Sequence, residues 1–340
     1  MALKATTEFN FTSPQINESS ADNTSVNLNY IIWVSVTPIA LLTGIIGNIL
    51  SIIVLLSKPF RHTTTGVYLP LTAIADTVFI ITGGQEILEV AGWFSVREYN
   101  KWACRAYKVI FYTSGDVSIW LLVAFTFDRF IAVCFPLSKR RVCKWKRAVI
   151  AAVTIVLLSL TKNFHEFWTR GPEYRKNGEL RRICGSQNQY EFFLDYVRPW
   201  LAFALVMAAP FALILFFNCM IAHGLIKSQR LRNKSAPSGT GSKPHASTSG
   251  GFRHTTFMCL GISIAFLICI APSIVLLIGK PYWKYRTNEA YNVAKAISNF
   301  LGFLNHCINF ILYCVTGRRF RQELKQLLTC RCGEVPRSLS

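Results

Sequence analysis

The chain has 340 residues, of which 51% are hydrophobic and only 16% charged, and carries a formal net charge of +20. Soluble domains average about 25% charged residues, so the composition argues against a large soluble helical protein. The basic charge falls in short segments between apolar ones, which argues against a nucleic-acid-binding surface.

Residues 1–30 are polar, with Lys4 as their one base and no apolar core before the first long hydrophobic run, so they do not read as a signal peptide. Three N-x-[ST] triplets, at Asn10, Asn17 and Asn23, suit a glycosylated extracellular tail. Apolar stretches then follow at 31–57, 67–91, 104–134, 148–164, 197–226, 255–279 and 289–316. A bilayer crossing needs about 20 mostly apolar residues. The expected fold is therefore an all-α membrane protein: a seven-transmembrane helix bundle over 31–316, then an amphipathic helix and cytoplasmic tail over 317–340.

The first, third and fifth gaps and the C-terminal tail together hold 20 bases against two acids, whereas the opposite side holds 16 against 12. Basic loops stay in the cytoplasm. The C-terminus is thus expected inside and the N-terminus outside, as in a multi-pass plasma-membrane protein, with the basic face drawn to anionic inner-leaflet lipid. Of the 11 cysteines, only Cys104 and Cys184 face the oxidising side, which makes them the expected disulfide.

Polar groups inside the spans are costly and mark function. Asp76 lies near the middle of span two, at a depth that Ser118, Asn305 and Asn309 can share. An oxygen-rich cluster with one carboxylate suits a small hard cation, here an allosteric sodium ion. The alternative is a protonated Asp76 in a hydrogen-bond network with water. In span three, Phe111, Ser118 and Arg129 lie within about 20° of one helical stripe, and Asp116 points roughly 140° from Arg129, towards another helix and not the central cavity. Arg129 has Asp128 as its immediate charge partner. No acid occurs between Tyr196 and Asn288, so the inner end of span six, around Phe252 to Thr256, offers Arg129 no second carboxylate.

The stretch from Ser235 to Gly251 is rich in Gly, Ser, Thr and Pro and is expected to be a flexible tether. Beyond span seven, Phe320, Leu324, Leu327 and Leu328 recur at helical spacing among bases, the pattern of a helix lying on the inner leaflet. Cys330 and Cys332 follow as candidates for palmitoylation. No metal-ligand cluster, phosphate loop or nucleophile motif is present, so the chain does not read as an enzyme. His306 reads as a packed or hydrogen-bonding residue.

Asp128-Arg129-Phe130, in the run DRFIAVCFPL, resembles the D-R-Y signature of rhodopsin-like G-protein-coupled receptors. Gly47-Asn48, Leu71 to Asp76, the Cys104 and Cys184 pair, Pro210, Pro272 and Asn309-Phe310-Ile311-Leu312-Tyr313 resemble that family's landmarks in the same order, over roughly residues 31–330. The resemblance implies that Asp128, Arg129, Phe130 and Tyr313 serve activation and coupling to a heterotrimeric G protein, with arrestin as a further partner. There are departures. Phe310 stands where the family usually has proline, a variant resembling neuropeptide receptors of the FMRFamide-receptor type. Ile270 replaces a tryptophan, Asn218 a tyrosine, and span four lacks its mid-helix tryptophan.

Within the resemblance, Phe111 stands where aminergic receptors keep an aspartate, and Phe303 where opsins keep a lysine. That leaves an extracellular peptide, in first place an amidated one, as the expected ligand. The outer loop from Lys162 to Tyr196 resembles the hairpin-forming loop of peptide receptors. Gln85, Glu86, Glu89, Phe111 and Phe303 are the candidate pocket residues, the carboxylates offering partners for a basic ligand group. The alternatives are a receptor for an aromatic amino acid or lipid, a constitutively active or decoy receptor, and, in a different class, a seven-span transporter or channel. The last would place polar groups in a line across the membrane or show internal repeats; here they converge on one spot.

Overall fold

The computed structural model describes residues 35–85, 95–174, 179–234, 247–279 and 289–329. The three sequons, Glu86, Glu89, Cys330 and Cys332 lie outside them. Single helices long and apolar enough to cross a membrane run over Thr37–Leu55, Thr65–Gly83, Lys101–Cys134, Trp145–Thr169, Arg198–Lys227 and Thr256–Leu276. A bent pair, Val293–Cys307 and Asn309–Thr316, completes the seventh span.

The first span shows how sequence sets its facing. Ile39, Leu42, Ile46, Ile49 and Ile53 recur every three or four residues and are all exposed, a stripe for lipid. Gly44, Gly47, Asn48 and Ser51 form the buried stripe, and small residues of this kind let helix backbones approach. A Cβ on Gly47 would lie 2.7 Å from the Cβ of Phe310, so glycine here is what admits the seventh span. The fourth span repeats the pattern with buried Ala148, Ala152, Ser159 and Asn163.

The third span is the axis, packed against the second, fourth, fifth and sixth. It starts at Lys101, three residues earlier than its apolar run, because the Asn100 side chain accepts from the backbone N–H of Trp102 and Ala103 at 2.9 and 2.8 Å. The second span's helix runs over Thr65–Gly83, and the outer end of its expected stretch, 86–91, lies outside the described residues. In the fifth span a π-helical stretch, Phe203–Ala208, lies directly before Pro210. Proline cannot donate to the carbonyl one turn back, and a widened turn accommodates the break.

The seventh span bends by 59° at Ile308 although no proline is present. Asn48 Nδ2 donates to the His306 carbonyl at 3.3 Å, and Asn309 turns its amide to Asp76. A side chain thus takes up one backbone carbonyl at the break, while the Ile308 N–H still donates to the Leu304 carbonyl at 3.1 Å.

At one end of the bundle, β1 (Arg170–Tyr174) and β2 (Leu180–Ser186) form an antiparallel hairpin. The Cys104–Cys184 disulfide ties it to the third span. Glu98 accepts from the N–H groups of Ile183 and Cys184 at 2.9 and 3.2 Å. At the other end, the helix Arg318–Thr329 packs buried Phe320 against Phe310 and Tyr313 and leaves Leu327 and Leu328 exposed. Arg321 caps the seventh span by donating to the carbonyls of Cys314 and Val315 at 2.7 and 2.8 Å.

Candidate functional site

A cavity of about 360 Å³ opens below the hairpin, between the second to seventh spans. This is within the usual range for small-molecule sites. Its walls are mainly apolar and aromatic, including Phe79, Phe111, Tyr112, Phe193, Ile270 and Phe303. Phe79 stacks on Phe111 at 4.7 Å and on the His306 ring at 4.1 Å, so these three rings close the floor.

An ion pair stands on one wall, and a buried ion cluster reaches the cavity through Arg198. Asp116 accepts from Asn163 Nδ2 at 2.6 Å and pairs with Lys162 Nζ at 2.6 Å. It therefore faces the fourth span as expected, but it also lines the cavity, which corrects the expectation that it points away. Wholly buried Glu166 meets Arg170 at 2.8 Å and Arg198 at 2.7 Å, and the Arg198 guanidinium lies 4.5 Å from the Tyr112 ring centre. One carboxylate thus holds the root of the hairpin against the head of the fifth span. Sequence reasoning missed it; its one signal was the i, i+4 spacing of Glu166 and Arg170.

Of the expected pocket residues, Phe111 and Phe303 line the cavity. Gln85 does not: its Oε1 accepts from the backbone N–H of Val96 at 3.4 Å, which directs the side chain to the adjoining loop.

Below the floor lies Asp76, with no exposed surface. Its Oδ1 accepts from Ser118 Oγ at 2.5 Å and His306 Nδ1 at 2.6 Å, and its Oδ2 from Asn309 Nδ2 at 2.7 Å. Asn305, expected to join this cluster, lines a neighbouring space of about 10 Å³ together with Ser118, Asn309 and Tyr313. One residue further along the helix, His306 takes the contact instead. The structure thus brings Ser118 and Asn309 to Asp76 but not Asn305, and adds His306, which the sequence marks only as a packed or hydrogen-bonding residue.

At the far end Arg129 pairs with Asp128 and is buried, 6% exposed. Thr64 lies between the two: its hydroxyl donates to Asp128 Oδ2 at 2.8 Å and accepts from Arg129 at 2.8 Å. The guanidinium carbon lies 5.4 Å from the Phe125 ring centre. Phe130 packs on Phe217 of the fifth span at 5.3 Å. Tyr313 is wholly buried, and its hydroxyl has no hydrogen-bond partner among the described residues.

Residues 47–313 match the family model of the 7 transmembrane receptor (rhodopsin family). The chain belongs to this family. Similar proteins include an allatostatin-A receptor of Bombyx mori, 25% identical over 85% of this chain and 77% of the relative. An FMRFamide receptor of Drosophila melanogaster is 28% identical over 82% of this chain and 50% of its own length. The thyrotropin-releasing hormone receptor of Homo sapiens is 24% identical over 86% and 76%.

Against the rhodopsin-family pattern, the departures have visible consequences. Ile270, in the tryptophan's place, lines the cavity without filling its floor. Both amide atoms of buried Asn218 lack a partner among the described residues. Phe310, in the proline's place, leaves the bend intact because Asn48 and Asn309 hold it.

Proposed function

We propose that this receptor sits in the plasma membrane with its N-terminus outside and C-terminus in the cytoplasm, and responds to an extracellular peptide, in first place an amidated one. The observation that carries the reading is the cavity beneath a disulfide-tethered hairpin: aromatic, with paired charges on one wall and Phe111 where a monoamine would need an anion. The names of the similar receptors, for allatostatin-A and FMRFamide, support a peptide.

Binding biases a two-state bundle. The ligand must prefer the open arrangement, otherwise it shifts nothing. In that arrangement the sixth span moves outward and Arg129, released from Asp128 and Thr64, helps line the surface for a heterotrimeric G protein and afterwards arrestin. The unpartnered hydroxyl of Tyr313 and amide of Asn218 support a second arrangement in which they are used, since buried polar groups are normally paired. The helix Arg318–Thr329 lies on the inner leaflet, with Cys330 and Cys332 as lipid anchors, and Asn10, Asn17 and Asn23 carry glycans outside.

The decisive experiment screens an amidated-peptide library for nucleotide exchange on G proteins in membranes containing the chain. Peptide-dependent exchange is the expected result. Solute or ion flux in vesicles without exchange overturns the reading in favour of a transporter. Exchange that no peptide alters, but that an aromatic amino acid or lipid does, reassigns the ligand class.

A further inference from the structure

A cation beside Asp76 would need free carboxylate lone pairs and a shell of oxygen atoms. The cluster provides little of either. Ser118, His306 and Asn309 each aim a donor at the carboxylate, at 2.5, 2.6 and 2.7 Å, so hydrogens occupy three of its about four lone-pair directions, and the partners present two nitrogens and only one oxygen. A neighbouring space of about 10 Å³ is lined by Ser118, Asn305, Asn309 and Tyr313 but not by Asp76. That is room for about one water and not for an ion with its shell.

His306 is positioned from both sides. Its carbonyl is held by Asn48 at 3.3 Å, and its ring lies on Phe79, which also stacks on Phe111 and meets Phe303. It also lines the ligand cavity. One imidazole therefore faces the ligand space with its ring and Asp76 with Nδ1. The neutral tautomer with hydrogen on Nδ1 suffices for this contact.

We propose that His306 is a built-in substitute for the cation: it caps Asp76 from the cavity side, makes the receptor indifferent to sodium, and gives whatever occupies the cavity floor a direct hold on Asp76. With Ile270 in place of the tryptophan, the Phe79–His306 stack is the aromatic contact through which that hold acts. The inference rests on the two-state receptor reading but not on the identity of the ligand.

The test uses the full-length receptor in nanodiscs, in sodium chloride or choline chloride at about 0.15 M. The wild-type unfolding midpoint is expected to be the same in both salts. His306→Ser removes the donor ring and adds an oxygen, and is expected to gain a sodium-specific rise of a few degrees, as any ligand of the folded state gives. Basal nucleotide exchange by His306→Ser should then be at least about two-fold slower in sodium, because ligand linkage favours the state that binds, with wild type unchanged. Phe79→Ala should alter basal exchange in wild type and have no further effect in the His306→Ser background.

A sodium-specific rise in the wild type overturns the proposal, as does a folded His306→Ser that ignores sodium. Additive effects of Phe79→Ala and His306→Ser overturn the claimed hold. If His306→Ser yields no folded protein, wild type and His306→Asn, which keeps a donor, are both expected to ignore sodium, and a response by either decides against it. The unfolding arm needs neither ligand nor G protein, so it can fail while the peptide-receptor reading stands.

Discussion

Thr126 Oγ1 and Ser263 Oγ meet at 3.2 Å between the third and sixth spans, with Cys259 Sγ 3.7 Å from the threonine hydroxyl. Because the segment from Tyr196 to Asn288 contains no acid, the sixth span has no carboxylate with which to hold Arg129. A neutral hydrogen bond is worth about 1 kcal/mol net, well below a partly buried ion pair. The closed arrangement is therefore held lightly. Cells expressing the receptor should show basal nucleotide exchange above vector-only cells, and Thr126→Val or Ser263→Ala should raise it roughly five-fold, the equivalent of one such bond. Exchange equal to the vector control at matched surface expression contradicts this account.

Glu166 makes a different kind of contact. It is wholly buried, and its two oxygens answer Arg170 and Arg198, which belong to different elements, the hairpin and the head of the fifth span. Removing one member of a buried ion cluster leaves the others uncompensated, at a cost of about 3–5 kcal/mol. Glu166→Gln should therefore lower the unfolding midpoint and surface expression strongly. The same change at exposed Glu191 should do little. Equal behaviour of the two variants would show that the carboxylate is not needed to join hairpin and bundle.

Much of this arrangement is legible in the sequence, for reasons that differ by residue. Span number follows from apolar length, and the Asp76, Ser118 and Asn309 cluster from the rule that a bilayer tolerates polar groups only in company. Asp128 and Arg129 are neighbours in the chain, so their pairing needs no tertiary information. Thr64 and His306 were not legible as partners, because what brings them to Arg129 and Asp76 is helix rotation and a bend, which a 3.6-residue period does not fix across 65 and 230 residues of separation. Gln85 shows the reverse: a plausible side chain near the cavity mouth, drawn instead to the backbone N–H of Val96.

The approach of the first and seventh spans yields a paired prediction. A methyl at Gly47 would overlap the Phe310 side chain at its Cβ, an atom that cannot swing aside without moving backbone. Overpacking of this kind costs about 1–3 kcal/mol. Gly47→Ala should lower the unfolding midpoint by several degrees. Phe310→Ala keeps the Cβ and removes only the ring beyond it, 3.2 Å from the added methyl at its nearest carbon, so Gly47→Ala should cost less in the Phe310→Ala background than in the wild type, but still something. A cost of zero in that background would place the clash in the ring, and an undiminished cost would place it wholly at the Cβ.

Cys143, in the loop between the third and fourth spans, carries the clearest pH signature. Burial, followed by the nearby Asp128 carboxylate, pushes its thiol up to about 12 from an ordinary 9.0. Its Sγ also donates to the Asp128 carbonyl, at 3.5 Å. Only the thiolate reacts with maleimide or iodoacetamide. Between pH 7 and 10 its alkylation rate should therefore rise about ten-fold per pH unit without levelling, since the whole window lies below its pKa, whereas an unperturbed thiol levels off above 9. Asp128→Asn removes the negative charge, lowers the thiol pKa and should speed labelling at every pH in that window, by less than the full shift because burial remains the larger cause. Mass spectrometry of peptides containing Cys143 reads the rate directly, and a plateau near pH 9 in the wild type would mean that the carboxylate and the thiol do not sit together as described.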